Sequence, residues 1–279
     1  NDSDGCPLDP NKIAVGYLDG LTAGVLRSMI AGLFALGIAL ALRLPFPRRT
    51  HDIALLATAG MCNFAAWPIF MSLGVARTTA GHTALIMAII PVFTVLGAAT
   101  IVRHRPHAGW WFGAAIAFAG TILLITDRTA SSPDGASATG DLIVLAGTVI
   151  CACGYIAGGS LSPKIGTFAT TFWSLAVALV VLVPIFGAIA GHTDWRAVPL
   201  NGWLAIGWMS IFSSLAGYAF WFYALGHTGI GRIGSTQMAM PVVTLAASAI
   251  ILGETLTVLL LIACATIILG TFWAQRHAH

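Results

Sequence analysis

The sequence predicts an all-α polytopic membrane protein, and three observations carry that prediction. Of 279 residues, 58% are hydrophobic and only 8% are Asp, Glu, Lys or Arg, where an ordinary soluble chain carries about 25% charged residues. Apolar runs of roughly 17–25 residues recur along the chain, the length at which a helix rising about 1.5 Å per residue crosses about 30 Å of hydrocarbon. The breaks between runs are short, so no segment could house a soluble catalytic or regulatory domain.

Taken in order, the apolar runs give nine spans: 21–42, 53–74, 79–102, 109–125, 141–161, 167–190, 201–225, 233–252 and 256–274. The longest plain loop is 126–140, rich in Ser, Gly and Ala. Basic residues orient the spans. One set of loops holds Arg43, Arg48, Arg49, Arg103, Arg105, Lys164, Arg232 and Arg276, and the alternate set holds Lys12, Arg77, Arg128 and Arg196. The richer side should be cytoplasmic, which puts the C-terminus inside, in the inner (plasma) membrane. The net charge of +3 is spread over these loops and not gathered on a face, so nucleic acid is not an expected partner. Nine spans ending inside leave the N-terminus outside, yet residues 1–10 are polar, Asp-rich and lack an apolar signal core. The expectation is an initial span missing from the sequence. Of five cysteines, Cys62, Cys151, Cys153 and Cys264 lie in apolar runs, and Cys6 does not. Cys151-x-Cys153 lacks zinc-site spacing, so neither a metal nor a cofactor is expected.

Comparing 12–125 with 164–275 shows a repeat. Lys12 matches Lys164, Leu73-Gly74 matches Leu225-Gly226, Pro91-Val92 matches Pro241-Val242, and Gly120-Thr121 matches Gly270-Thr271. By the charge assignment the loop before span 79–102 is outside and its partner before 233–252 is inside. Inverted halves follow when each repeat holds an odd number of spans. Five plus five is the natural completion, giving ten helices with the first one lost.

At this point the chain resembles the drug/metabolite transporter superfamily, in its EamA-type ten-helix members, and is similar to YddG-like amino-acid exporters. The residues that carry the likeness are Lys12-Ile13-Ala14, Leu26-Arg27-Ser28, the paired Leu-Gly to Pro-Val arrangements, and Leu252-Gly253-Glu254. Two departures stand out: the usual Trp-containing first helix is absent, and Val102-Arg103-His104-Arg105 stands where many members carry Gly-Glu. The resemblance implies a first repeat over 1–125 with its first helix missing or truncated, a linker over 126–140, and a second repeat over 141–279. It also implies a central cavity and the transport of small metabolites.

Polar side chains within spans are costly and are read first as functional candidates. Asn63 and Trp67 lie four residues apart on one face of span 53–74, offering an amide beside an aromatic ring. Ser214, Tyr218, Trp221 and Leu225 recur at helical spacing along one face of span 201–225, as a ligand-cavity stripe would. His82 and Gln237 occupy matching spans, and His82 could respond to protons. Tyr155 is a further binding candidate, although Gly154-Tyr155 and Gly158-Gly159 also suit tight helix packing. The matched prolines Pro91 and Pro241 each remove an amide and displace a carbonyl, as hinges for alternating access would. Arg27, two turns into its span, is explained by snorkelling to the outer surface. Asp52, Asp141 and Glu254 mark span ends, so no carboxylate is expected within a span.

The function these features predict is secondary transport by alternating access. Its expected partners are a small-molecule substrate and the lipid bilayer, and a monomer is compatible with the repeat. The alternatives are a channel-like facilitator, which would favour a continuous polar stripe, and an intramembrane enzyme. No nucleophile–base pair, metal set or paired carboxylate is legible in the spans, so the chain is expected not to be an enzyme. With amide, hydroxyl and aromatic groups but no fixed anion, the cavity suits zwitterionic amino acids, hydrophobic or aromatic, whose charged ends meet helix termini and freed carbonyls.

Overall fold

Long helices account for nearly all of the chain that the computed structural model describes, which is residues 18–102, 107–126, 137–228, 243, 249–250 and 257–277. In order they are α1 (Gly20–Ala41), α2 (Thr50–Gly60), a π-helical segment π1 (Met61–Ala66), α3 (Trp67–Val75), α4 (Ala80–Met87), α5 (Ile90–Val102), α6 (Ala108–Thr126), α7 (Ala138–Ile165), α8 (Thr167–Ile189), α9 (Leu200–Trp208), a second π-helical segment π2 (Met209–Gly217), α10 (Tyr218–Thr228) and α11 (Val258–Arg276). α2, π1 and α3 run on as one rod, as do α9, π2 and α10. Eight stretches among the described residues are long and apolar enough to cross a membrane. The chain is an integral, polytopic, all-helical membrane protein. The ninth expected span, 233–252, lies almost wholly outside the described residues, as do Gln237, Pro241, Glu254, Lys12 and most of the 126–140 loop.

Helix starts are set by side chains that satisfy the first free amides. Asp19 accepts from the Thr22 amide at 3.3 Å, Thr79 from His82 at 3.2 Å, and Thr257 from Leu260 at 3.1 Å. Ser137 does the same for Gly140 at 3.0 Å, and α7 therefore begins at Ala138, ahead of the expected start at 141. Gly166, with φ of +89° and ψ of 151°, turns the chain from α7 into α8 in a single residue, a conformation that costs an ordinary L-residue about 1–3 kcal/mol. Between α4 and α5 the ladder tightens: the Ala88 amide is shared between the Ala84 and Leu85 carbonyls at 3.2 Å each, and Ile89 donates to Ile86 at 3.3 Å. This tightening falls just before Pro91, which has no amide to continue the ladder.

The helices gather into two compact units, each drawing on both halves of the sequence. The first comprises residues up to Ser72 and Gly154–His227. Within it α1 packs on α8, α9, π1 and π2, and its inward stripe of Ala31, Ala35 and Ala39 is fully buried. Leu18, Ala23, Leu26, Val198, Ala205, Ile206 and Met209 form a core here. Lys164 donates to Asp52, and the Trp173 indole donates to the Leu44 carbonyl at 3.3 Å.

The second unit comprises Leu73–Cys153 and the chain from Thr228 onward. Its α6 and α11 make the closest helix pair in it, around a core of Ile89, Val92, Trp110, Ala114, Ala117 and Ala274. Small residues let membrane helices approach until backbones touch. A Cβ on Gly113 would fall 2.7 Å from the Gly270 carbonyl oxygen, and one on Gly270 would fall 2.7 Å from that of Gly113. Gly113→Leu should therefore force α6 and α11 apart, at a cost of about 1–3 kcal/mol. In a thermal melt of the detergent-solubilised protein it should lower the midpoint, whereas Gly37→Leu, where a Cβ meets nothing within 4 Å, should leave it in place.

Candidate functional site

A π-helix closes its hydrogen bonds from i to i+5, and such segments concentrate at functional sites. Here π1 and π2 sit in the two spans that the repeat comparison pairs, and both belong to the first unit. Asn63, in π1, is completely buried, and neither its amide nitrogen nor its amide oxygen has a hydrogen-bond partner. Since both atoms are unpaired, turning the amide over changes nothing. Room for the group comes from Gly154 on α7: a Cβ there would lie 2.5 Å from the Asn63 side-chain carbon.

Tyr218, where α10 leaves π2, directs its hydroxyl toward the Asn63 backbone oxygen at 3.5 Å. Its ring lies 4.5 Å from that of Phe64. Arg27 on α1 lies close enough to Tyr218 to interact with it electrostatically. The Arg27 Nε is buried without a hydrogen-bond partner, and among the described residues its guanidinium makes no ion pair. The Trp221 indole nitrogen is likewise buried and unpartnered, and its ring stands 5.4 Å from Tyr155. One unit thus contains a positive group, an amide with both ends unpaired and an indole donor, with aromatic rings beside them.

The expected site residues divide between the units. Asn63, Trp67, Tyr155, Ser214, Tyr218 and Trp221 fall in the first. Trp67 and Ser214 are buried. The expected Ser214–Tyr218–Trp221 stripe assumed 3.6 residues per turn, but Ser214 lies in π2, where the turn is wider, so the register of that face is not α-helical. The side chain of Leu225 lies outside the described residues. His82 lies in the second unit, where its Nδ1 is 2.9 Å from an Asp141 carboxylate oxygen and its Nε2 has no partner.

Two expectations are corrected. Asp141 is not a surface marker of a span end: its side chain is 1% exposed, and it accepts from Thr78 while facing His82. A helix starting at 141 would leave it at the rim, but the Ser137 cap draws it a turn inside. Asp52 is also buried, against Lys164. Arg27, expected to snorkel, is partly buried and has its Nε enclosed by protein. Both residues had visible signals, Arg27 as the sole basic residue inside a span and Asp141 in the Ser137-x-x-Gly140 cap spacing.

A family model described as the EamA-like transporter family matches residues 11–126 and again 138–275. The chain belongs to that family. Its relatives include a Bacillus subtilis (strain 168) transporter named YdeK, 29% identical over 88% of this chain and 84% of that protein. A protein of Streptantibioticus cattleyicolor named as a probable terminal-alkyne amino-acid exporter is 25% identical over 82% of this chain and 75% of its own. A solved crystal structure superposes with a TM-score of 0.63 at 18% identity, covering 96% of this chain and 93% of that one, and shares the fold.

As an EamA-family transporter, the chain should tolerate poor packing economy at a site used for solutes. An unpaired buried polar group costs about 1–3 kcal/mol, and Asn63 presents two. Asn63→Leu, close in volume, should raise the thermal midpoint of the solubilised protein while lowering solute flux in liposomes. A midpoint that falls instead would mean the amide is satisfied in the folded state.

Proposed function

We propose that this transporter moves small zwitterionic metabolites, amino acids with hydrophobic or aromatic side chains above all, and that it exports them by alternating access. The observation that carries the reading is the set of unpartnered polar atoms on Arg27, Asn63 and Trp221 in one unit. A guanidinium presents donors in a fork that suits a carboxylate, which makes Arg27 the carboxylate anchor. The Asn63 amide oxygen can accept from an ammonium, and Tyr155, Tyr218 and Trp221 offer ring faces to an apolar side chain. The amino-acid exporter among the relatives supports the same substrate class.

The two family-matched segments, 11–126 and 138–275, are in this reading the inverted repeats, completing ten helices. The tightened ladder before Pro91 serves as one hinge, with Pro241 as its counterpart. The membrane is the inner (plasma) membrane, with the C-terminus in the cytoplasm. A carboxylate anchor leaves no role for organic cations as principal cargo, and a continuous channel has no need of one.

Counterflow in liposomes carrying the protein tests this directly. Labelled phenylalanine or tryptophan should exchange faster than in empty liposomes, and phenethylamine, which lacks the carboxylate, should not compete. Arg27→Gln should reduce the exchange by about tenfold or more, the scale of one charge-assisted hydrogen bond of about 1.5–3 kcal/mol. Trp221→Ala should slow it less. Brisk exchange of organic cations with none of amino acids would overturn the proposal.

A further inference from the structure

The second unit holds a buried ionisable pair that solute recognition does not use. His82, one turn into α4, and Asp141, in the first turn of α7, have side chains 2% and 1% exposed. Both carboxylate oxygens are engaged, Oδ1 accepting from the Thr78 hydroxyl and Oδ2 facing His82 Nδ1 at 2.9 Å. An ionised carboxylate only accepts, so Nδ1 carries the hydrogen of a neutral His82 ring and Nε2 carries the lone pair. That Nε2 is buried and has no partner. The carboxylate also lies at the amino ends of two helices, where the backbone dipoles favour negative charge. The geometry therefore leaves one ring nitrogen of His82, Nε2, open.

We propose that His82 Nε2 is a proton-binding site, with Asp141 positioning the ring, and that loading it is coupled to solute movement in the opposite direction. A proton taken from water forms one N–H bond at Nε2 and returns to water when that bond breaks. Loaded, the pair is an imidazolium facing a carboxylate and has no net charge. Unloaded, it carries one negative charge in a protein interior, where charge is expensive. Among the described residues, surrounding groups do not duplicate the role. The described part of α6 has no ionisable side chain, and on α7 the unit's other titratable groups are Cys151 and Cys153. On α11 they are Cys264 and Arg276, the latter lying over the Phe272 ring, followed by His277 on the Trp273 carbonyl. Arg77, beside Thr78, donates to the Leu73 carbonyl. α4 itself is capped by Thr79 at one end, and its hydrogen-bond ladder tightens at Ala88–Ile89 where it runs on into α5.

The coupling rests on the transport reading, but the proton site does not, and two measurements separate them. In liposomes with a pH-sensitive dye inside, an acid interior should make wild type accumulate labelled phenylalanine several times more than equal pH does. Each addition of phenylalanine should also move protons outward. In His82→Gln, whatever counterflow remains should be indifferent to the gradient and should move no protons. Wild-type accumulation that ignores the gradient, or a His82→Gln protein that still responds to it, overturns the coupling. If wild type exchanges no amino acid at all, the transport reading fails, and the site is judged alone. The ring signal of His82 in histidine-labelled protein, identified by its loss in His82→Gln, should then titrate between about pH 5 and 9 and move in Asp141→Asn. A ring that holds one protonation state across that range overturns the site.

Discussion

Inside hydrocarbon no water waits to take up a backbone amide or carbonyl, so each must be satisfied within the protein. That requirement makes the described chain nearly all helix, and it gives every departure from the α-helical ladder a meaning. Three departures matter here: the π-helical segments Met61–Ala66 and Met209–Gly217, and the tightening at Ala88–Ile89. The first two bring Asn63 and Tyr218 together in one unit, and the third follows the helix that carries His82. Asn63 and Ser214 stand where the ladder is irregular, whereas Arg27, Tyr155 and Trp221 stand on regular helix.

The same requirement separates structural polar groups from those available to a ligand. Thr94, Thr121, Thr148, Ser162, Thr170, Thr171 and Ser210 each return their hydroxyl to the carbonyl four residues earlier at 2.7–3.0 Å. They cost the fold little and offer a solute little. Asn63, Arg27, Trp221 and His82 each retain an unpaired atom in the interior. Stability is forgone at those positions, as it is at Trp110, Ser174, Thr271 and Gln275, and such a cost is expected where a protein must bind something it later releases.

Much of this architecture was legible in the sequence because it follows from length, hydropathy and caps. Span limits for α1, α6, α8 and α11 agree with the helices to within a few residues, since each is a plain apolar run between polar ends. The internal detail of the spans was less legible. Nothing in Met61–Ala66 or Met209–Gly217 announces a wider turn, because tertiary packing and not local propensity sets it. Candidate residues were visible as types, an amide or an imidazole among apolar neighbours, but their partners were not. His82 and Asp141 are 59 positions apart, and only the tertiary fold brings Asp141 against α4. Arg27 was discounted by its distance along the helix from the expected surface, a one-dimensional measure that cannot see π2 packed alongside.

The contact of Gly113 with Gly270 also bears on how the protein is made. Two helices that approach until backbone meets backbone cannot be replaced in that role by lipid or by a looser neighbour. α6 leaves the ribosome long before α11 exists: at about 5–20 residues per second the interval is roughly 10–30 s. Through that time the small-residue face of α6 lies in the membrane without its mate, and α11 is the last described helix to be made. Completion of the second unit therefore waits for α11. A ribosome that stalls before Val258 would leave its closest helix–helix seam open, and a membrane quality-control protease would find its substrate there.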